Sequence, residues 1–157
     1  MKIFFLLYFA VLIWSAINPK DYFTWFLEVI PAIIALIVLA LTYRKFKLTT
    51  LIYSLILIHC IILMIGVHYT YALVPLFDFI KEVFNQDRNN YDKVGHLAQG
   101  FVPAMIAREI IIRKNIIQIE AWRNFFIVCF CLAFSAFYEL IEWWVAIFTN
   151  EAANDFL

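Results

Sequence analysis

The chain has 157 residues, of which 66% are hydrophobic, 19% aromatic and 15% charged, and its 12 basic and 12 acidic side chains cancel. Soluble domains are typically about 45–50% apolar and about 25% charged, and one water-soluble core could not hide this much Phe, Ile and Leu. A mean hydropathy of +0.87 makes the chain an integral membrane protein with the lipid bilayer as its first partner, and the lack of a basic run excludes nucleic acid.

The pattern predicts a single all-α membrane domain, a polytopic transmembrane helical bundle of about five spans, each needing about 20 apolar residues. The first is expected over 3–17 and is closed by Asn18-Pro19-Lys20-Asp21, a turn signal. Lys2 plus an apolar stretch also fits a signal peptide. However, Trp14-Ser15-Ala16-Ile17-Asn18 is a poor small-x-small cleavage site, so this helix is expected to stay uncleaved. The second span, 26–43, has Pro31 early, where a helix tolerates proline, and is closed by Arg44, Lys45 and Lys47. The third, 48–76, is long enough to tilt. A polar stretch over 81–93 follows. The fourth, 94–112, starts after Asp92, a candidate N-cap, and should kink at Pro103. The fifth is expected over 124–148, with Trp122 and Trp143-Trp144 as its aromatic belts.

Lys and Arg placement sets the orientation. With the N-terminus in the cytoplasm, the inside carries Lys2, Arg44, Lys45, Lys47, Arg108, Arg113, Lys114 and Arg123. The outside carries Lys20, Lys81, Arg88 and Lys93. This favours a cytoplasmic N-terminus and an outer C-terminus. Cys60, Cys129 and Cys131 all lie in apolar runs and read as small buried hydrophobes.

Five polar residues stand out against this apolar background: His68, Asp92, His96, Glu139 and Glu142. The topology places them at similar depth near the outer face, on three different spans. An ionisable side chain in hydrocarbon costs at least about 2.5 kcal/mol and marks a functional hypothesis. Asp92 and His96 are four apart on one helical face, and Glu139 and Glu142 are three apart. His59 and His68 are nine apart and face opposite ways, so His59 is expected to be structural, bonded to a neighbouring helix. Arg108 and Glu109 read as an ion pair near the inner end. Two imidazoles and three carboxylates can hold a divalent metal. Alternatively, His96, Glu139 and Glu142 can serve as acid and base, or the group can relay protons.

The stretch Asn89-Asn90-Tyr91-Asp92-Lys93-Val94-Gly95-His96-Leu97-Ala98-Gln99-Gly100-Phe101-Val102-Pro103 resembles the YjdF-like family of bacterial inner-membrane proteins. So do Arg108-Glu109 and Tyr138-Glu139-Leu140-Ile141-Glu142-Trp143-Trp144. Residues 59–75, with Gly66, His68, Tyr69, Tyr71 and Pro75, look like that family's third span. The resemblance implies location in the inner membrane and carries no activity. Family members continue past the position of Leu157 with an Asp- and Gln-containing stretch and a further span, so the resemblance implies either a truncated product or a short member, and an incomplete outer cluster if that stretch supplies site carboxylates. Asp92, Lys93 and His96 are also similar to the D-K-x-x-H pattern of VanZ-like membrane proteins. Three readings stay open: an enzyme or binder at the outer leaflet with a lipid-like ligand, a small proton-coupled carrier, and a structural protein whose polar residues knit helices.

Overall fold

The computed structural model describes residues 2–149. Among them all regular structure is helical, as expected. The elements are α1 Lys2–Ser15, α2 Tyr22–Thr42, α3 Thr50–Tyr69, a 3-10 turn Tyr71–Leu73, α4 Pro75–Val83, α5 Tyr91–Arg113 and α6 Glu120–Thr149. Three helices are long and apolar enough to cross a membrane: α2, α3, and α6 as far as Val145. α1 is apolar but has 14 residues, about 21 Å of helix against a hydrocarbon core of about 30 Å. α5 carries Asp92, Lys93, Arg108 and Glu109 and is not among the three.

The structure divides into two units, Met1–Ala98 and Gln99–Leu157. In the first, α3 packs against both α1 and α2. Ser15 meets His68 at one end, while Phe4, Phe5 and Tyr8 line a common cavity with Tyr53, Ile56 and Cys60 towards the other. α1 and α3 therefore run parallel, with α2 antiparallel between their ends. Val29 and Ala32 of α2 and Ile52, Met64 and Val67 of α3 are almost fully buried. Lipid is as apolar as Leu, so close packing and polar contacts, not water exclusion, hold such helices together.

Capping explains most boundaries. Asp21 opens α2 with its carboxylate accepting from the Thr24 amide at 2.6 Å, and its interactions with the Thr24 side chain and then the amide hold its carboxyl below the usual range. α2 thus begins a full turn before the predicted start. Pro31 then lies in its interior, where the missing N–H leaves the Leu27 carbonyl without its helical donor. Thr49 caps α3 through the Ile52 amide.

The third span is shorter than predicted. α3 stops at Tyr69, because Thr70 turns left-handed (φ 56°) and its N–H closes back on the Gly66 carbonyl. Residues up to 76 leave the span and enter the 3-10 turn and α4. This nine-residue helix has Leu76, Phe79 and Val83 exposed on one face and Asp78, Lys81 and Glu82 on the other. At about 13 Å it cannot cross a bilayer, and its two faces suit the interface plane.

α5, the helix of the fourth predicted span, starts at Tyr91, so Asp92 is not its N-cap but sits in its first turn. Asn89 opens it instead, its Oδ1 accepting from the Tyr91 amide at 3.0 Å. Pro103 lies inside α5, as predicted.

In the second unit, Asn115 (φ 54°) ends α5, and the Ile116 amide bonds back to Ile111 at 3.0 Å. Glu109 pairs with Arg113 at 2.7 Å, correcting the expected Arg108–Glu109 pair, since neighbours at i,i+1 point apart while i,i+4 residues share a face. Trp122, Phe125 and Phe126 form a ring cluster at the start of α6. Cys60 is buried as expected, but Cys129 is exposed and Cys131 half-exposed, because only one edge of this part of α6 is covered.

Candidate functional site

Polar contacts of the first unit concentrate where α1 and α3 end and α2 begins. Ser15, fully buried, is the joint. Its hydroxyl donates to the Leu12 carbonyl at 2.9 Å and accepts from the Trp25 indole N–H at 3.1 Å. Its carbonyl lies 3.1 Å from His68 Nδ1. A carbonyl only accepts, so Nδ1 carries the proton, and Nε2 is the acceptor nitrogen of the neutral ring. The imidazole also lies against Trp14 (4.4 Å between centroids) and meets Tyr69 edge-on at 4.6 Å. The Lys20 amide donates to the His68 carbonyl at 3.3 Å. His68 thus ties α1, the α1–α2 turn and α3 together.

A second assembly surrounds Tyr71. Thr70 (φ 56°) and Tyr71 (φ 21°) are consecutive non-glycine residues on the positive side of φ, a costly conformation that persists only where surroundings hold it. Here the reversal folds the Tyr71 ring back over α3. Gly66 provides the seat: a Cβ built there would stand 2.6 Å from Tyr71 Cζ. Gly95 of α5 is close by, with a built Cβ 3.6 Å from the same ring. The Tyr71 hydroxyl faces the Glu28 carboxylate of α2 within interaction range. One side chain thereby links α2, α3 and the start of α5.

Tyr91 extends this wedge. Its ring lies 6.1 Å from Tyr71 and 5.2 Å, edge-on, from Phe77, and its hydroxyl donates to the Ile62 carbonyl at 2.9 Å. Asn89 is buried beneath the loop. Its amide donates to the Val74 carbonyl at 3.0 Å and to Asp78 Oδ1 at 2.9 Å.

The sequence-predicted residues fare differently. His68, Asp92 and His96 stand at the same end of the first unit, since Gly66 and Gly95 approach one ring. Asp92 pairs with Arg88 at 2.7 Å through Oδ2, while its Oδ1 is buried and has no partner among the described residues. His96 is exposed. In the second unit Glu139 is exposed on α6. Glu142 has its backbone in α6, but its side chain lies outside the described residues. Among the described residues no group of three or more His, Cys, Asp or Glu side chains could hold a metal ion, so the expected divalent-metal cluster of His68, Asp92, His96, Glu139 and Glu142 gains no support. The physical reason is visible at two members: His68 turns Nδ1 to a backbone carbonyl, and Asp92 turns one oxygen to a guanidinium. His59, expected to bond a neighbouring helix, keeps its Nε2 buried without a partner among the described residues.

Sequence reasoning missed Glu28 and the glycine seat. The signal was present: Glu28 is the one acidic residue between Tyr22 and Thr42.

A family model described as predicted membrane protein DUF2238 matches the whole chain, residues 1–157. The chain belongs to that family. It is 46% identical over 147 residues to the inner membrane protein YjdF of Escherichia coli (strain K12), covering 94% of this chain and 70% of that protein. No solved structure matches. The Asn89–Tyr91 entry to α5, its following turn through Gly95 and His96, and the Gly66–Tyr71 segment are stretches of this DUF2238 member where its polar chemistry gathers.

Proposed function

We propose that the chain is a multi-pass protein of the bacterial inner membrane that binds the polar group of a lipid-like ligand at its outer end. In this reading α1, α2, α3, α5 and α6 all cross, with the N-terminus cytoplasmic and the C-terminus outside. The inner-membrane relative supports the location, and the gathering of Arg44, Lys45 and Lys47 in the turn between α2 and α3 supports the orientation. The observation that carries the binding role is the Glu28–Tyr71 pair, a carboxylate and a phenol set between an otherwise apolar α2 and a glycine seat on α3. Asp92, with one buried unpartnered oxygen, and the exposed His96 stand at the same end and serve as its recognition groups. His68 acts as a strut, while Glu139 and Glu142 fall in the outer half of α6 under the proposed orientation.

The test compares wild type with Glu28→Gln and His96→Ala, purified in native lipid particles and extracted for mass spectrometry. The reading expects a lipid-like species in wild type that both variants lose while keeping wild-type helicity and melting. Identical extracts from all three would sink it. A structural reading is favoured by the His68–Ser15 and Asp92–Arg88 contacts, since interhelical polar bonds are worth about 0.6–2 kcal/mol without any activity. It wins if both variants lower the melting temperature and leave the extract unchanged.

A further inference from the structure

The opposite end of the first unit holds a cavity of about 380 Å³, within the range of about 300–1,000 Å³ typical of ligand pockets. Phe4, Phe5 and Tyr8 of α1, the Leu36–Tyr43 part of α2 and the Tyr53–Cys60 part of α3 wall it, and it is lined almost entirely by carbon. Tyr8 is 5% exposed, and its hydroxyl has no hydrogen-bond partner among the described residues. An unpaired buried hydroxyl on the wall of a half-open space marks a place that another molecule completes.

Charge says which molecule. The Tyr43 wall of the cavity adjoins the turn between α2 and α3, where Arg44, Lys45 and Lys47 are all exposed, and Lys2 is exposed at the start of α1. Lys47 sits 5.7 Å above the ring of Tyr43, itself a wall residue, so the basic turn and the cavity adjoin. Neither residues 2–17 nor residues 29–68 contain an Asp or Glu; the two acids between the start of α1 and the end of α3, Asp21 and Glu28, lie towards the other end. A positive rim over an apolar cleft matches an amphiphile with an anionic head and a hydrocarbon tail.

We propose that this cleft is a binding site for one anionic phospholipid of the surrounding leaflet, its phosphate on Arg44, Lys45 and Lys47 and an acyl chain between α1, α2 and α3. The site is separate from the Glu28–Tyr71 assembly and rests only on the chain being a membrane protein.

The experiment is native mass spectrometry of the full chain in micelles, where membrane orientation no longer matters. It titrates dioleoylphosphatidylglycerol against dioleoylphosphatidylcholine, which carries the same tails. One phosphatidylglycerol is expected to bind with preference over phosphatidylcholine. Arg44→Gln and Lys45→Gln should each weaken it about fivefold, the equivalent of about 1 kcal/mol per charge. Ala40→Phe, placed on the exposed wall of the mouth, should abolish tail binding for both lipids without unfolding the protein. Equal binding of the two lipids, or phosphatidylglycerol binding that Ala40→Phe leaves intact, overturns the proposal. A lipid-free dimer that Ala40→Phe dissociates also overturns it, by giving the cleft to a second copy.

Discussion

Replacing Gly66 by alanine tests the Tyr71 wedge most directly. Alanine is the better helix former by about 1 kcal/mol, so in a helix interior the substitution should stabilise. Against this, the new methyl would stand 2.6 Å from Tyr71 Cζ, well inside van der Waals contact. The ring cannot simply swing away. Its backbone is fixed at positive φ, its hydroxyl faces Glu28, and Tyr91 flanks it. Overpacking of this kind costs about 1–3 kcal/mol, and pushing the hydroxyl away from the half-buried Glu28 carboxylate adds to it. The net expectation is a loss of about 1–2 kcal/mol after the helix gain is subtracted. Gly95→Ala meets the same ring at an ordinary 3.6 Å, and Gly100→Ala meets nothing within 4 Å. Both should be neutral or stabilising by up to about 1 kcal/mol. Denaturation in mixed micelles, followed by helical ellipticity, separates the three. The double variant Gly66→Ala with Tyr71→Ala should lose the steric component. If Gly66→Ala proves as stable as Gly100→Ala, the ring does not occupy the seat and the wedge argument fails.

Asn89→Ala removes two donated bonds and the cap on the Tyr91 amide, so it should cost about 2–3 kcal/mol in the same denaturation assay. Asn89→Asp should recover only the cap, because a carboxylate cannot donate to the Val74 carbonyl; full recovery would count against the assigned bonds. Asp21→Ala should fray the start of α2, costing up to about 1 kcal/mol at neutral pH because the cap is solvent-exposed. The Asp21 carboxyl is held below its usual range, so the capping stabilisation is present above the ordinary carboxylate pKa. It is lost as pH falls through the lowered value. The wild-type and Asp21→Ala stabilities should therefore converge in acid, and a gap that widens there would refute the cap. His68→Asn keeps a donor near the Ser15 carbonyl but loses the stacking on Trp14 and Tyr69. It should melt between wild type and His68→Ala, and equality of the two variants would remove the Ser15 bond from the account.

The His/carboxylate grouping shows how far sequence reaches. Spacing put Asp92 and His96 on one face, and the direction of the spans put His68 at the same end. Spacing could not say that His68 would turn to Ser15, 53 positions away, or that Arg88 would take Asp92. Glu28 was legible as an acid inside an apolar run, but its partner lies across a left-handed reversal that no periodicity announces.

What the sequence determined by itself is what local chemistry and solvent preference determine. Hydropathy made the chain an all-helical membrane protein. Asp21 and Thr49 mark helix starts through bonds within one turn, Asn115 ends a helix through its left-handed backbone, and Pro75 opens one by its fixed φ. Motif content placed it with its family. Tertiary structure decided where α3 stops, because the strain at Thr70 and Tyr71 is tolerable only with the ring seated on Gly66 and the hydroxyl facing Glu28. It decided which polar groups meet, because a side chain's partner in a bundle is chosen by helix rotation and depth together. It also decided that three helix ends enclose a cleft beneath a basic turn, since empty space between elements leaves no mark on any one of them.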